Sequence, residues 1–429
     1  MRALPALLTA LWASLAASTA LASTLQERID MAPDGAEITL EGVNEGPIVI
    51  RHPVVIDGQG SAVIDGGSTG TVVTIESDAV TLKNLTIRNS GRLHNKVDAG
   101  LRIKGNYNVI RDVRIENSLF GMDLTQASNN VMRRNYITSK DMPLEMRGDS
   151  VRIWYSNDNV FEDNLIEHSR DFVIWYSQGN KIRNNRIRHG RYGIHFMYAH
   201  ENFVEDNEIS DSVVGVFLMY ANNIKVTGNQ ILRSWGASGM GVGFKETSGA
   251  VVEDNKILGN AVGIYIDPSP WDPDMTNEFH RNHIAYNGIG IEFHTDWVGN
   301  NFSQNNFISN FTQVSVRGRG TALREGWNGN YWDDYAGFDH DGDGIGNAPY
   351  EIYNYADRLW MDRPYAAFFR GGIALSALDF VERLAPFTEP QLLVREAAPL
   401  FEPVDHAASR AETRAQSGKP KTALEMLTQ

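Results

Sequence analysis

NKIRNNRI (180–187), NFVEDNEI (202–209) and NIKVTGNQI (223–231) are copies of one phrase, and their spacing decides the fold. Each copy runs from polar residues through an apolar one to Asn, then to a second apolar residue. From Thr81 to Val316 the anchor reads Asn84, Asp112, Asn135, Asn164, Asn185, Asn207, Asn229, Asn255, Asn282 and Asn306. The gaps linking Asn164, Asn185, Asn207 and Asn229 are 21, 22 and 22 residues, and the others run from 23 to 29. A period of about 22 residues means stacked supersecondary units, none of which buries its apolar face alone.

Apolar and polar residues alternate over short runs, as in Gly193-Ile194-His195-Phe196. Period two means strands rather than helices. Each copy also carries Gly or Asn, which tolerate the positive φ that tight corners demand. The expected fold is all-β: a right-handed parallel β-helix of about 22-residue coils, with the anchor Asn side chains stacked as a ladder. The same residues could serve as turn formers alone; either way their role is structural.

The chain opens MRALPALLTALWASLAASTALA, one basic residue followed by an apolar run and a small-residue end. That pattern predicts a secretory signal peptide over 1–22. Removing Arg2 with it takes the net charge from −14 to about −15. The chain has no cysteine, so disulfides and a lipid-modified Cys anchor are excluded. An acidic exported chain argues against nucleic acid as a partner. The remaining organisation is read as a cap and first coils over 23–75 and the β-helix over 76–335. An acidic Gly-rich loop over 336–366, an amphipathic helix over 367–386 and an extended or disordered tail over 387–429 complete the chain.

Aligning the coils puts particular side chains above one another. The strands read R-I-W (152–154), V-I-W (173–175), H-F-M (195–197), F-L-M (217–219), G-F-K (243–245), Y-I-D (265–267) and E-F-H (292–294). The middle residue is apolar and points inward, so its neighbours point outward. Trp154, Trp175, Met197, Met219, Lys245, Asp267 and His294 then form one outward column. Arg152, Val173, His195, Phe217, Gly243, Tyr265 and Glu292 form another. His195, Met197 and Met219, with His200 in the following turn, form a candidate site for one small ion. Thioether and imidazole donors without Cys suit Cu(I). The alternative is a buried apolar patch under the 138–149 insertion, which carries Met142 and Met146.

A second constellation is FDHDGDGIGNAPYEI (338–352). Asp339, Asp341 and Asp343 alternate and Gly344 follows, which matches the start of a calcium loop. The twelfth position is Tyr350 and Glu351 falls one residue late, so the full helix–loop–helix pattern is absent. A structural Ca²⁺ site and a plain acidic turn both fit. No phosphate loop or His-Glu-x-x-His motif is present. Asp267 and Glu292 are the best carboxylate pair for carbohydrate chemistry.

The segments GIHFMYAHENFVEDN (193–207), VGVFLMYANN (214–223) and GNYWDDYAGFDHDGDGIGNAPYEI (329–352) resemble the NosD family. The likeness runs from the signal peptide to this last motif. It implies a periplasmic, non-enzymatic accessory protein of nitrous oxide reductase maturation. The implied partners are the permease and ATPase of an ABC transporter, a membrane-anchored copper chaperone and the apo reductase, whose copper–sulfur cluster is assembled. Segment 367–386 would dock on the permease or cap the last coil. Two other readings remain open: a periplasmic polysaccharide epimerase or lyase stacking sugars on Trp154 and Trp175, and a metal-free adaptor.

Overall fold

The computed structural model describes residues 23–354, 358–369, 372–385 and 390–405. The expected signal peptide and the last part of the expected tail, from 406, lie outside the described residues. The solenoid is a parallel β-helix. One 12-stranded sheet receives one strand per coil, and a 23-stranded sheet takes the remaining strands of the coils. A representative coil runs along the strand Tyr192–Met197, turns, continues as Phe203–Glu205, bends at Asn207 and leaves as Glu208–Ser210. Its partner in the next coil is in register: Ile194 lies beside Val216, Phe196 beside Leu218 and Met197 beside Met219. Inward residues form one continuous core of Ile, Val, Leu and Phe, with Ile194, Phe196, Val204 and Ile209 almost fully buried.

Each bend is built from two residues with different tasks. The first adopts the left-handed backbone, as Asn184 (φ 53°) and Asp206 (φ 56°) do. The second points inward and ties the coils together. Asn207 Oδ1 accepts the Asn185 backbone N–H at 2.9 Å and the Asn185 side-chain amide at 3.0 Å. Asn207 Nδ2 in turn donates to the Ile182 carbonyl at 2.8 Å and to Asn229 Oδ1 at 3.0 Å. This ladder runs through Asn135, Asn164, Asn185, Asn207, Asn229, Asn255, Asn282, Asn305 and Asn330. A second ladder links Asn108, Asn130, Asn159, Asn180 and Asn202.

Three anchors read from the sequence stand one residue off. Asn84 and Asp112 occupy the left-handed position (φ 56° each), and the inward places behind them belong to Leu85 and Val113. At the far end Asn305, not Asn306, bonds Asn330, while Asn306 binds the backbone of Val404. Asn and Asp suit both positions of the bend, so a pair such as Asn305-Asn306 leaves the register ambiguous by one residue.

Both ends are closed. Helix α1 (Leu25–Met31) buries Leu25 and Ile29 against the first coil, and Thr24 and Glu27 form a capping box. At the other end the segment expected as a tail forms a strand, Gln391–Glu396, antiparallel to Tyr350–Asn354. The Glu396 carboxylate accepts from Asn330 N (2.7 Å) and from Trp332 Nε1 (2.7 Å), so it terminates the main ladder. Helix α2 (Arg358–Asp362) packs Trp360 and Met361 onto the last coils. Helix α3 (Ile373–Leu384) occupies part of the segment expected to be helical, 367–386, and no described helix is long and apolar enough to cross a membrane.

Asn207→Ala strands the Asn185 backbone N–H and side-chain amide and the Ile182 carbonyl inside the bend. At about 1–3 kcal/mol per unsatisfied buried group, the loss should be about 3 kcal/mol or more. Urea denaturation of the variant beside wild type measures it; a loss below 1 kcal/mol would show that the ladder is decoration.

Candidate functional site

The outward columns are present in register. Trp154 pairs with Trp175, Trp175 with Met197, Met197 with Met219, Met219 with Lys245 and Lys245 with Asp267. The Trp and Met side chains of this column are half-buried. The 138–149 insertion does not lie over them. Met142 packs instead against Ala99, Leu119 and Phe120, and Met146 is exposed. Trp154 meets Trp175 edge to face at 5.1 Å between ring centroids, and the Arg152 guanidinium sits 5.0 Å from the Trp154 ring.

His195 lies in the neighbouring column, between Val173 and Phe217. Although it faces outward it is only 7% exposed. Tyr192 stacks on it at 4.5 Å and Phe217 meets it edge-on at 5.7 Å. Its Nε2 is buried without a hydrogen-bond partner. Burial pushes its pKa down to about 4; Asp171 opposes that shift and Arg191 adds to it. The imidazole is therefore neutral at ordinary pH, with a lone pair available for a soft ion. Met240, which the column alignment did not single out, lies on the same face. A Cβ on Gly243 would fall 2.6 Å from its sulfur, so the absent side chain at Gly243 makes room for the thioether beside Phe217. His200 sits in the turn beyond Tyr198, and its Nδ1 accepts the Asn222 N–H at 3.1 Å.

The sequence reading also passed over the residue that follows each column member. Tyr155, Tyr176, Tyr198 and Tyr220 take the left-handed corner of four successive coils, with φ between 46° and 52°. Their rings stack at 5.0, 5.3 and 4.7 Å with interplanar angles of 10°, 7° and 12°. The signal was legible: Trp-Tyr, Trp-Tyr, Met-Tyr and Met-Tyr recur at the coil period.

Toward the C-terminal end the same face becomes charged. Lys245 bonds Asp267 at 3.1 Å, Arg317 bonds Glu292, and Tyr265 hydrogen-bonds His294 Nδ1 at 2.9 Å. Each carboxylate of the pair considered for sugar chemistry thus has a basic partner, and burial pushes the Tyr265 phenol up to about 12. A cavity of 310 Å³ separates Glu292 and Arg317 from Trp360 and Met361 of α2.

In the acidic loop, ligand oxygens of Asp339, Asp341 and Asp343 lie within 4.8 Å of one another. Desolvation works against ionisation of Asp339, but the N–H groups of Gly344 (3.0 Å) and Gly342 (2.7 Å) hold its carboxyl below the usual range. The two glycines supply the positive φ the loop needs, 74° at Gly342 and 82° at Gly344.

A family model described as periplasmic copper-binding protein (NosD) matches residues 133–337, the coils that carry these columns. A protein of Pseudomonas aeruginosa named probable ABC transporter binding protein NosD is 31% identical over 400 residues, covering 89% of this chain and 92% of that one. The chain belongs to the NosD family. A Stutzerimonas stutzeri protein of the same name matches at 31% over 113 residues, 26% of each chain. Among solved structures, the catalytic domain of a GH87 alpha-1,3-glucanase in complex with nigerose has a TM-score of 0.53 at 13% identity, over 70% of this chain and 65% of that one. The A-module of Azotobacter vinelandii mannuronan C-5 epimerase AlgE4 has a TM-score of 0.50 at 16% identity, over 69% and 92%. These two likenesses are of fold alone.

His195 separates a structural role from a ligand role. Its depressed folded pKa means that it contributes stability above its unfolded pKa near 6.5, lost as pH falls toward 4. His195→Phe removes the buried unpartnered nitrogen and should match or exceed wild type in stability at pH 7. The gap in favour of the variant should widen from pH 6.5 to pH 4. Thermal melts across that range check this; a variant less stable than wild type at both ends would make His195 a packing residue.

Proposed function

We propose that this protein is a non-enzymatic copper-handling accessory protein of the periplasm, working with an ABC transporter to build the copper–sulfur cluster of nitrous oxide reductase. The family description supports the copper and the compartment, and the relatives' name supports the transporter. The observation that carries the site is the buried, unpartnered Nε2 of His195 on the face that also bears the adjacent Met197 and Met219. We assign Cu(I) as cargo to His195, Met197 and Met219, and leave His200 out because its Nδ1 already accepts the Asn222 N–H. Neutral imidazole and thioethers are soft, uncharged donors that favour Cu(I) over the hard cations of the periplasm.

The membrane side of the assignment rests on residues 365–384. Tyr365, Phe368, Ile373, Phe380 and Leu384 are each more than 60% exposed, a concentration of apolar surface that water alone does not explain. We assign this segment to the permease; the ATPase then lies on the other side of the bilayer. The membrane-anchored chaperone supplies copper and the apo reductase receives it. We also assign one structural Ca²⁺ to Asp339, Asp341 and Asp343.

Anaerobic Cu(I) titration against a competing chelator tests the cargo site. His195→Ala/Met197→Ala should weaken affinity at least about tenfold, 1.4 kcal/mol. Equal affinity in variant and wild type would remove the assignment. Calcium is tested separately: Ca²⁺ should raise the melting temperature of wild type but not of Asp339→Asn/Asp341→Asn. A melting point that ignores Ca²⁺ in wild type leaves an acidic turn.

A further inference from the structure

A further asparagine ladder ends differently from those closed by Glu325 and Glu396. It passes from Asn260 through Asn287 to Asn310, whose Nδ2 donates to Gln313 Oε1 at 2.9 Å. Gln313, only 8% exposed, donates its Nε2 to Asp333 Oδ1 at 2.8 Å. The Ser309 N–H and hydroxyl donate to the other Asp333 oxygen at 2.6 and 3.1 Å. Asp333 therefore terminates this ladder, as a single glutamate terminates each of the others.

The next residue has no such task. Asp334 accepts from the Tyr350 hydroxyl at 2.8 Å and, at the limit of a hydrogen bond, from Gln313 Nε2 at 3.5 Å. Among the described residues no Lys or Arg forms an ion pair with it. Desolvation pushes its carboxyl up, the Asp333 charge adds to that shift, and the Tyr350 bond opposes it. A buried carboxylate with no counter-charge is costly.

The counter-charge has a place to sit. A cavity of 130 Å³ lies against Asp334 and is lined also by Gln313, Tyr350, Asn354 and Met361. Asn354, at the end of the strand Tyr350–Asn354, is 6% exposed. Its Nδ2 lies 3.2 Å from the Met361 sulfur, and its Oδ1 is buried with no hydrogen-bond partner. A carboxylate without a base and a carbonyl oxygen without a donor thus border one small cavity. A water could donate to both but would leave the charge uncompensated. A cation satisfies both. The free donors are oxygens, which selects a hard ion. Asp333 is already held by three donors, so one excess negative charge remains and one positive charge balances it. A divalent ion would call for further carboxylates, which the lining does not supply. At about 30 Å³ per water, the cavity has room for an ion with a few waters.

We propose that the cavity between Asp334 and Asn354 holds one monovalent alkali cation, Na⁺ or K⁺, which ties the closing strand to the last coil. The proposal rests on neither the copper nor the calcium assigned above. Asp334 follows the last rung of the large sheet, Tyr331–Trp332, whereas Asn354 belongs to the strand paired with Gln391–Glu396. An ion between them joins the solenoid to the strand pair that brings Glu396 to Asn330.

The test melts full-length mature protein at mildly alkaline pH in NaCl, KCl and choline chloride of equal ionic strength, with choline as the bulky control cation. Wild type should melt at least about 2 °C higher in Na⁺ or K⁺ than in choline, because the ion binds the folded state. Asp334→Asn removes the charge and keeps an acceptor for the Tyr350 hydroxyl. It should lose the alkali response, and in choline it should melt above wild type, a gain that no folding defect produces. Asn354→Leu should raise the alkali concentration for half effect at least about threefold. Amide exchange over 350–354 should slow in alkali salt in wild type and not in Asp334→Asn. Equal melting of wild type in all three salts overturns the proposal, as does an alkali response that Asp334→Asn retains. Ca²⁺ that reproduces the alkali effect in choline, in the Asp339→Asn/Asp341→Asn background, overturns it too.

Discussion

The bond on which the rest of the molecule depends joins an asparagine carboxamide to the backbone of the preceding coil. At each bend the strand pairing is interrupted, and a buried N–H would otherwise face the core without an acceptor. The Asn oxygen satisfies that N–H, and the Asn nitrogen satisfies a carbonyl one coil back and the next oxygen forward. A residue that must both donate and accept along one axis fixes the coil in rotation as well as in height. A slip of one residue would turn every inward side chain outward. The columns on the outer face are therefore consequences of the ladder.

A ladder of this kind has an end problem, because its last amide and the last sheet edge need partners. The chain meets it with carboxylates: Glu396 for the main ladder and Glu325 for a shorter one through Asn300. In both, carboxyl oxygens accept from the final N–H donors. Burial pushes each carboxyl up to about 7, against the lowering effect of those same donors. Glu396 arrives on a strand more than sixty residues beyond its partner Asn330, so the C-terminal segment belongs to the solenoid's closure.

The period of two, the coil length and the outward columns were legible because each depends on local alternation and repetition. The inward side of each strand was legible for the same reason. The register of Asn305 against Asn306 was not, since two adjacent residues can each perform either task of the bend. Nor was the strand Gln391–Glu396, whose partner Tyr350–Asn354 lies about forty residues earlier, outside any repeat. His195 could be assigned to the outer face from sequence, but its burial could not: that comes from Tyr192, three residues earlier on the same strand, and Phe217, one coil on. Met240 was missed because its importance comes from an absence, the missing side chain of Gly243. The tyrosine ladder was written plainly at the coil period, but an alignment built on alternation stops at the strand end and leaves out the corner.

The copper and loop-calcium assignments differ in how the protein holds its donors, and the difference bears on what each ion would be for. The three carboxylates sit on a short loop braced by its own backbone N–H groups, a geometry that gathers charge around one ion and stiffens a turn. His195 and Met197 sit on one strand of a rigid sheet and Met219 on the next, about 4.8 Å along the stack. A sheet cannot fold itself around an ion as a loop does, and half-buried thioethers leave one side of the ion open. Incomplete enclosure is a weakness in a storage site and a requirement in a transfer site, where a second protein must supply or take the remaining ligands. In the proposed copper site the solenoid would present the ion, and a second protein would complete its shell.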